Sequence, residues 1–140
     1  MTTSQRLKLS FIETLDREKP DPNISVVDAK ARAVFELPLI AIDIASVEPH
    51  SQALQHVERI GIVAVLRVHA GDDDDIDSWI DQIESTLTDV SEMKSAMGGM
   101  VKVYSWTYGG SSQEWDESIL EVAFFVEVLC SRFEPQPQDD

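Results

Sequence analysis

The chain has 140 residues, with 11 Lys+Arg against 26 Asp+Glu and a formal net charge of −15. Hydrophobic residues make up 43%, ordinary for a globular domain and too many for a disordered chain. The single cysteine, Cys130, forms no internal disulfide. No stretch approaches the roughly 18 apolar residues of a membrane-spanning helix. A secreted scaffold, a membrane protein and a basic nucleic-acid binder are not expected on these grounds.

The charge is unevenly placed. Residues 1–70 hold eight Lys/Arg and nine Asp/Glu, whereas residues 71–140 hold only Lys94, Lys102 and Arg132 against 17 acids. So negative a half-molecule repels phosphate backbones and has no basic stripe to hold them.

Thr2 followed by Gln5 reads as a capping box opening a helix to about Arg17, with Leu7, Phe11, Ile12 and Leu15 as its apolar stripe. Pro20 and Pro22 end it. A short strand is expected around Ala31–Phe35. From Pro38 the period becomes two: Ile40, Ile42 and Ile44 share one face, and Ala41, Asp43 and Ala45 the other. A second long strand over 55–69 puts Ile60, Ile62, Ala64, Leu66 and Val68 on its apolar face. The short link between the two predicts antiparallel pairing. Ile76, Ile80, Ile83, Leu87 and Val90, widened by Trp79, mark a second helix. Asp74 or Asp75 reads as its N-cap, and Met93 and Met97 extend it to Gly98-Gly99.

A strand over 100–108, a polar loop over 109–116 and a strand over 117–131 complete the order. The last strand has an unbroken apolar face of Leu120, Val122, Phe124, Val126, Val128 and Cys130. The expected fold is two-layer α/β (α+β): a mixed, mostly antiparallel sheet of four to five strands with two helices packed on one face. One domain spans 1–133, and the Pro/Gln/Asp-rich residues 134–140 read as a disordered tail.

Chemistry-bearing patterns are sparse. The acidic run from Asp72 has Asp77 where a calcium loop needs glycine and Ile83 where it needs glutamate. Acids at a helix N-terminus, complementing its dipole, explain the run better. Ser91-x-x-Lys94 lacks the companion elements of a serine acyl-transferase site. His50, His56 and His69 form no ligand pattern, and Cys130 reads as a small buried hydrophobe. No catalytic residue, metal site or cofactor is expected, and the chain reads as a non-enzyme. Trp106, Tyr108 and Trp115 bracket the polar loop, for which protein contact or local packing is preferred over base stacking. Gly109, Gly110, Glu114 and Trp115 are therefore candidates for contact with a partner.

With helices on one side, the other sheet face needs an explanation. It carries Ala41, Asp43, Ala45, Val63, Val65, Arg67, Ile119, Glu121, Ala123, Phe125, Glu127 and Leu129. An apolar centre rimmed by charge, with Arg59 or Arg67 pairing Glu121 or Glu127, suits a subunit interface. The candidates are Val63, Val65, Arg67, Glu121, Phe125 and Glu127. Asp72, Asp73, Asp74 and Asp75 are candidates for an acidic lumen or surface.

Several segments carry a resemblance. Ala33-Val34-Phe35 precedes Leu37-Pro38-Leu39-Ile40-Ala41-Ile42, and the strand at 60–68 leads through acids into a helix containing Ile76-Asp77-Ser78-Trp79-Ile80. A strand with Tyr104 and Tyr108, a polar loop ending at Trp115 and a final strand over 118–130 follow. From Ala33 to Cys130 the chain resembles the tail-terminator family of long-tailed bacteriophages, the minor tail protein U type. That resemblance implies a two-layer α/β fold closing into a hexameric ring. It implies a ring that caps the tail tube, stops its polymerisation and presents a surface to the head–neck connector, while genomic DNA passes through without specific binding. The place would be the virion tail, and the host cytoplasm during assembly. Two alternatives share the size and charge: a head-completion or neck protein, and an acidic inhibitor that mimics DNA.

Overall fold

The computed structural model describes residues 2–30, 36–49, 57–69, 73–97, 102–116 and 118–131. The elements are α1 (Thr3–Glu18), β1 (Ser25–Asp28), β2 (Leu39–Pro49), β3 (Val57–His69), α2 (Asp73–Thr88), α3 (Val90–Met97), β4 (Val103–Asp116) and β5 (Ile119–Ser131). The strands form one sheet in the order β1-β2-β3-β5-β4. β1 runs parallel to β2, and every other pairing is antiparallel. The mixed, mostly antiparallel α+β sheet expected from the sequence is the fold observed.

The capping box of α1 forms as read: Gln5 N–H donates to the Thr2 hydroxyl at 3.2 Å, and Thr2 N–H donates to the Gln5 side chain at 2.9 Å. Leu7, Phe11 and Leu15 bury its apolar stripe, and Ser10 and Thr14 are buried beside them. The Thr14 hydroxyl donates to Ser10 O at 2.8 Å, so its burial leaves no unsatisfied donor. Small side chains here let α1 lie close to β1 and β2.

The core lies between the helices and one sheet face. Ile60, Ile62, Ala64, Leu66 and Val68 of β3 meet Leu120, Val122, Phe124, Val126, Val128 and Cys130 of β5 there. Ile76, Ile80, Ile83, Leu87 and Met93 cover them from above. Each fully buried Leu, Ile or Phe contributes about 1.5–3 kcal/mol relative to exposure. Trp106 joins the layers. Its ring stacks on Phe11 with centroids 5.7 Å apart, and its indole N–H donates to Leu87 O at 2.8 Å.

Three expectations need correction, and two lie outside the described residues. The single second helix is two, because Asp89 caps a new one: Glu92 N–H donates to Asp89 Oδ1 at 3.1 Å. Val90 thereby leaves the buried stripe and is exposed. Asp74 and Asp75 are not N-caps, since α2 already begins at Asp73. Ala45 shares the face of Asp43 as expected, and a bulge between Ile44 and Ser46 brings Ser46 and Glu48 onto that face as well, with Ala45 Cβ 3.8 Å from where a side chain on Gly61 would stand. The expected loop at 109–116 is strand: β4 continues through it, pairing with β5 as far as Asp116 opposite Ile119. The short strand expected at Ala31–Phe35 and the tail at 134–140 lie outside the described residues. The strand seen before β2 is β1, at Ser25–Asp28.

Candidate functional site

The second face of the sheet is open over β3 and β5, where Phe125 is exposed, and closed only at its β2 edge, where Leu39 and Ala41 are buried; its side chains stand in ordered rows. The middle row runs Asp43, Val63, Phe125, Gly110, and the row beside it Ala41, Val65, Ala123, Ser112. Two charged rows flank this apolar band. On one side stand Leu39, Arg67, Glu121 and Glu114; on the other, beyond Ser46, Gly61, Glu127 and Thr107, stand Glu48, Arg59, Leu129 and Ser105. An apolar centre within a charged rim is the anatomy of a protein contact surface.

Both rims are internally paired. Arg67 Nε lies 3.1 Å from Glu121 Oε1, and Arg59 Nε lies 3.4 Å from Glu127 Oε1. These are the partnerships expected from the sequence. All four side chains are about one-third or more exposed, so each pair stabilises the isolated subunit by roughly 0–1 kcal/mol. Their larger effect is on charge: the two central strands present a neutral face on a strongly acidic molecule.

Phe125 is the most exposed apolar member of this band, at 42%. The reason lies on β4. Gly109 faces it without a side chain, and a methyl placed there would sit 3.4 Å from Phe125 O and 3.6 Å from its Cβ. Gly110 takes a φ of 98°, a left-handed conformation that favours glycine, at the bulge between Tyr108 and Gly110. The two glycines thus carry the strand past Phe125 and leave its ring open.

The other candidates fall elsewhere. Gly109, Gly110, Glu114 and Trp115 sit on β4, an outer strand of the sheet, and Trp115 is 59% exposed. Trp106 belongs to the core and Tyr108 is half-buried, its hydroxyl donating to Glu84 at 2.8 Å. Burial first, and then the Glu84 carboxylate, push the Tyr108 phenol up to about 12. Asp73 and Asp75 lie in the first turn of α2 with Asp74 between them, and Asp75 is exposed. Asp72 lies outside the described residues. Cys130 is buried, and burial, with Glu58 beside it, pushes its thiol up to about 11. Among the described residues no three His, Cys, Asp or Glu side chains gather as a metal site, and no helix is long and apolar enough to cross a membrane.

Sequence reasoning missed one feature. Lys8 of α1 is buried and reaches Asp28 of β1 at 3.0 Å, beside an open groove lined by Gln5, Lys8, Leu9 and Asp28. Asp28 is held below the usual carboxylate range by the Lys30 backbone N–H, and by Lys8 against the cost of burial. A lysine one step from the apolar stripe of α1 was the available signal. Its partner was hidden because β1 had not been recognised. Neither the family models searched nor the curated proteins contain a match to the chain.

Proposed function

We propose that this chain is a structural subunit of phage assembly, a tail terminator that joins copies of itself into a ring. The ring caps the end of the tail tube, stops its polymerisation and offers a surface to the head–neck connector. The observation that carries this reading is the Phe125 band: an ordered apolar strip between two ion-paired rims, on a face that is open over β3 and β5. Two central strands whose charges cancel suit contact between like copies, which otherwise repel one another through a net charge of −15.

The family resemblance supplies the tube, the hexameric ring and the head. The acidity adds a physical rationale, because a conduit lined by carboxylates repels phosphates and lets a genome slide without adhering. In this reading the exposed Asp75, in the first turn of α2, faces the channel or its rim. The protein acts in the virion tail, after assembly in the host cytoplasm. It performs no chemistry and holds no cofactor.

Negative-stain imaging of the purified protein mixed with tail tubes tests the reading. Rings seated on tube ends, with tube length arrested, are expected. Rings seated on capsid vertices assign the chain to the neck instead, and competition with DNA for a basic enzyme assigns it to DNA mimicry.

A further inference from the structure

The four rows of the sheet that begin on β1 end on the last third of β4. One runs from Ser25 through Leu39, Arg67 and Glu121 to Glu114; another runs from Asp28 through Ile42, Ala64 and Phe124 to Ser111. Ser25–Asp28 and residues 111–114 are therefore opposite ends of the same rows, at one height along the strands. The pairings also make β1 and β4 antiparallel. An outer strand presents backbone N–H and C=O groups that template pairing with another chain.

Each end has a companion on the helix-bearing side. Beside β1 lies the groove of Gln5, Lys8, Leu9 and Asp28, about 360 Å³ in volume and within the range of sites that seat a small ligand or an aromatic side chain. On β4, the ladder partner of Trp115 is Leu120, which is buried in the core. Trp115 thus stands on the same side of the sheet as the groove, 59% exposed.

We propose that residues 111–115 of one copy dock against β1 of a second copy, continuing the sheet antiparallel, bringing Ser111 and Gln113 to the groove beside Lys8 and Trp115 onto the same side of the sheet opposite Ile24. The inference rests on the ring reading and adds an edge contact to the contact made through the Phe125 face. Different patches meet, so the contact is heterologous, the kind that builds a ring when its rotation closes. Charge selects β1 as the partner. Residues 103–131 carry five acids and no Lys or Arg, whereas residues 1–30 carry five acids and five Lys/Arg. Pairing β4 with another β4 unites two wholly acidic elements. Pairing it with β1 brings it to a neutral one, with the Lys8 cation on the same side of the sheet.

The test uses Val27→Cys and Ser112→Cys, two positions of one row, made separately in the full chain, mixed and treated with a short bismaleimide. Cys130 is buried and its thiol is a weak acid, so it stays silent. A covalent dimer with one chain of each variant is expected, with little product from either variant alone. Self-linkage of Ser112→Cys as efficient as the mixed product overturns the edge contact. So does absence of linkage while the parent chain keeps its oligomeric mass, and then the ring reading survives. A parent chain that is monomeric in the same buffer overturns both. Trp115→Ala is expected to raise the concentration for half-assembly by about tenfold or more with an unchanged circular-dichroism spectrum. Unchanged assembly removes Trp115 from the contact.

Discussion

Replacing Phe125 by aspartate separates folding from assembly. An aromatic side chain carries about 150–250 Å² of buriable surface. The 42% left exposed on Phe125 is then roughly 60–100 Å². Covering it in a contact is worth roughly 1.5–2.5 kcal/mol at about 25 cal/mol per Å². Phe125→Ala should thus weaken assembly about tenfold to seventyfold. Phe125→Asp goes further, because it leaves an unpaired carboxylate beside Val63 in the contact, a penalty of about 3–5 kcal/mol for a buried charge without a partner. In the free subunit that carboxylate is solvated, so the melt should stay cooperative and fall by only a few degrees. Analytical ultracentrifugation beside a thermal melt reads both effects. Oligomers of unchanged mass in Phe125→Asp refute the assignment of this face, and outright unfolding refutes the view that Phe125 lies outside the core.

Further predictions rest on other contacts. Ile80→Asp places a charge in the helix stripe over the core, where Ile80 is 8% exposed, and should leave no cooperative melt. Trp106→Phe keeps the stacking on Phe11 but strands Leu87 O, and should cost about 1–3 kcal/mol by denaturant titration, against about 3–5 kcal/mol for Trp106→Ala. Equal costs would deny the indole hydrogen bond its role. The Tyr108 phenol is raised from about 10 to about 12, so its contribution to stability is full below pH 10 and lost as pH rises through 12. Tyrosinate absorbance should show a late step near pH 12 that Tyr108→Phe removes.

Much of the fold was legible because its signals are local. The capping box of α1, the alternation in β2 and β3 and the continuous apolar face of β5 each lie within one segment. The antiparallel β2–β3 pairing followed from their short connection. What escaped depended on partners distant in sequence. β1 is four residues long, without alternation, and exists because Ser25 N–H and Ala29 N–H reach Pro38 O and Ile42 O at 3.2 and 2.9 Å. The second half of β4 is polar and glycine-bearing, the composition of a loop, and is held in strand form by its ladder to β5. The α2–α3 break was masked because Leu87, Val90 and Met93 recur at intervals of three across Asp89, which matches helical spacing. The open face of the site was read correctly as to its paired arginines, since cross-strand neighbours follow from parity. The groove beside β1 could not be read before β1 itself.

Solution mass measured against protein concentration and ionic strength bears most directly on the claim that this subunit completes itself with its own copies. Salt shortens the repulsion between acidic subunits to about 10 Å at 0.1 M. The account predicts one discrete multiple of the subunit mass that grows with concentration and with added salt or magnesium, and that Phe125→Asp abolishes. A single-subunit mass that persists at millimolar concentration and high salt contradicts it.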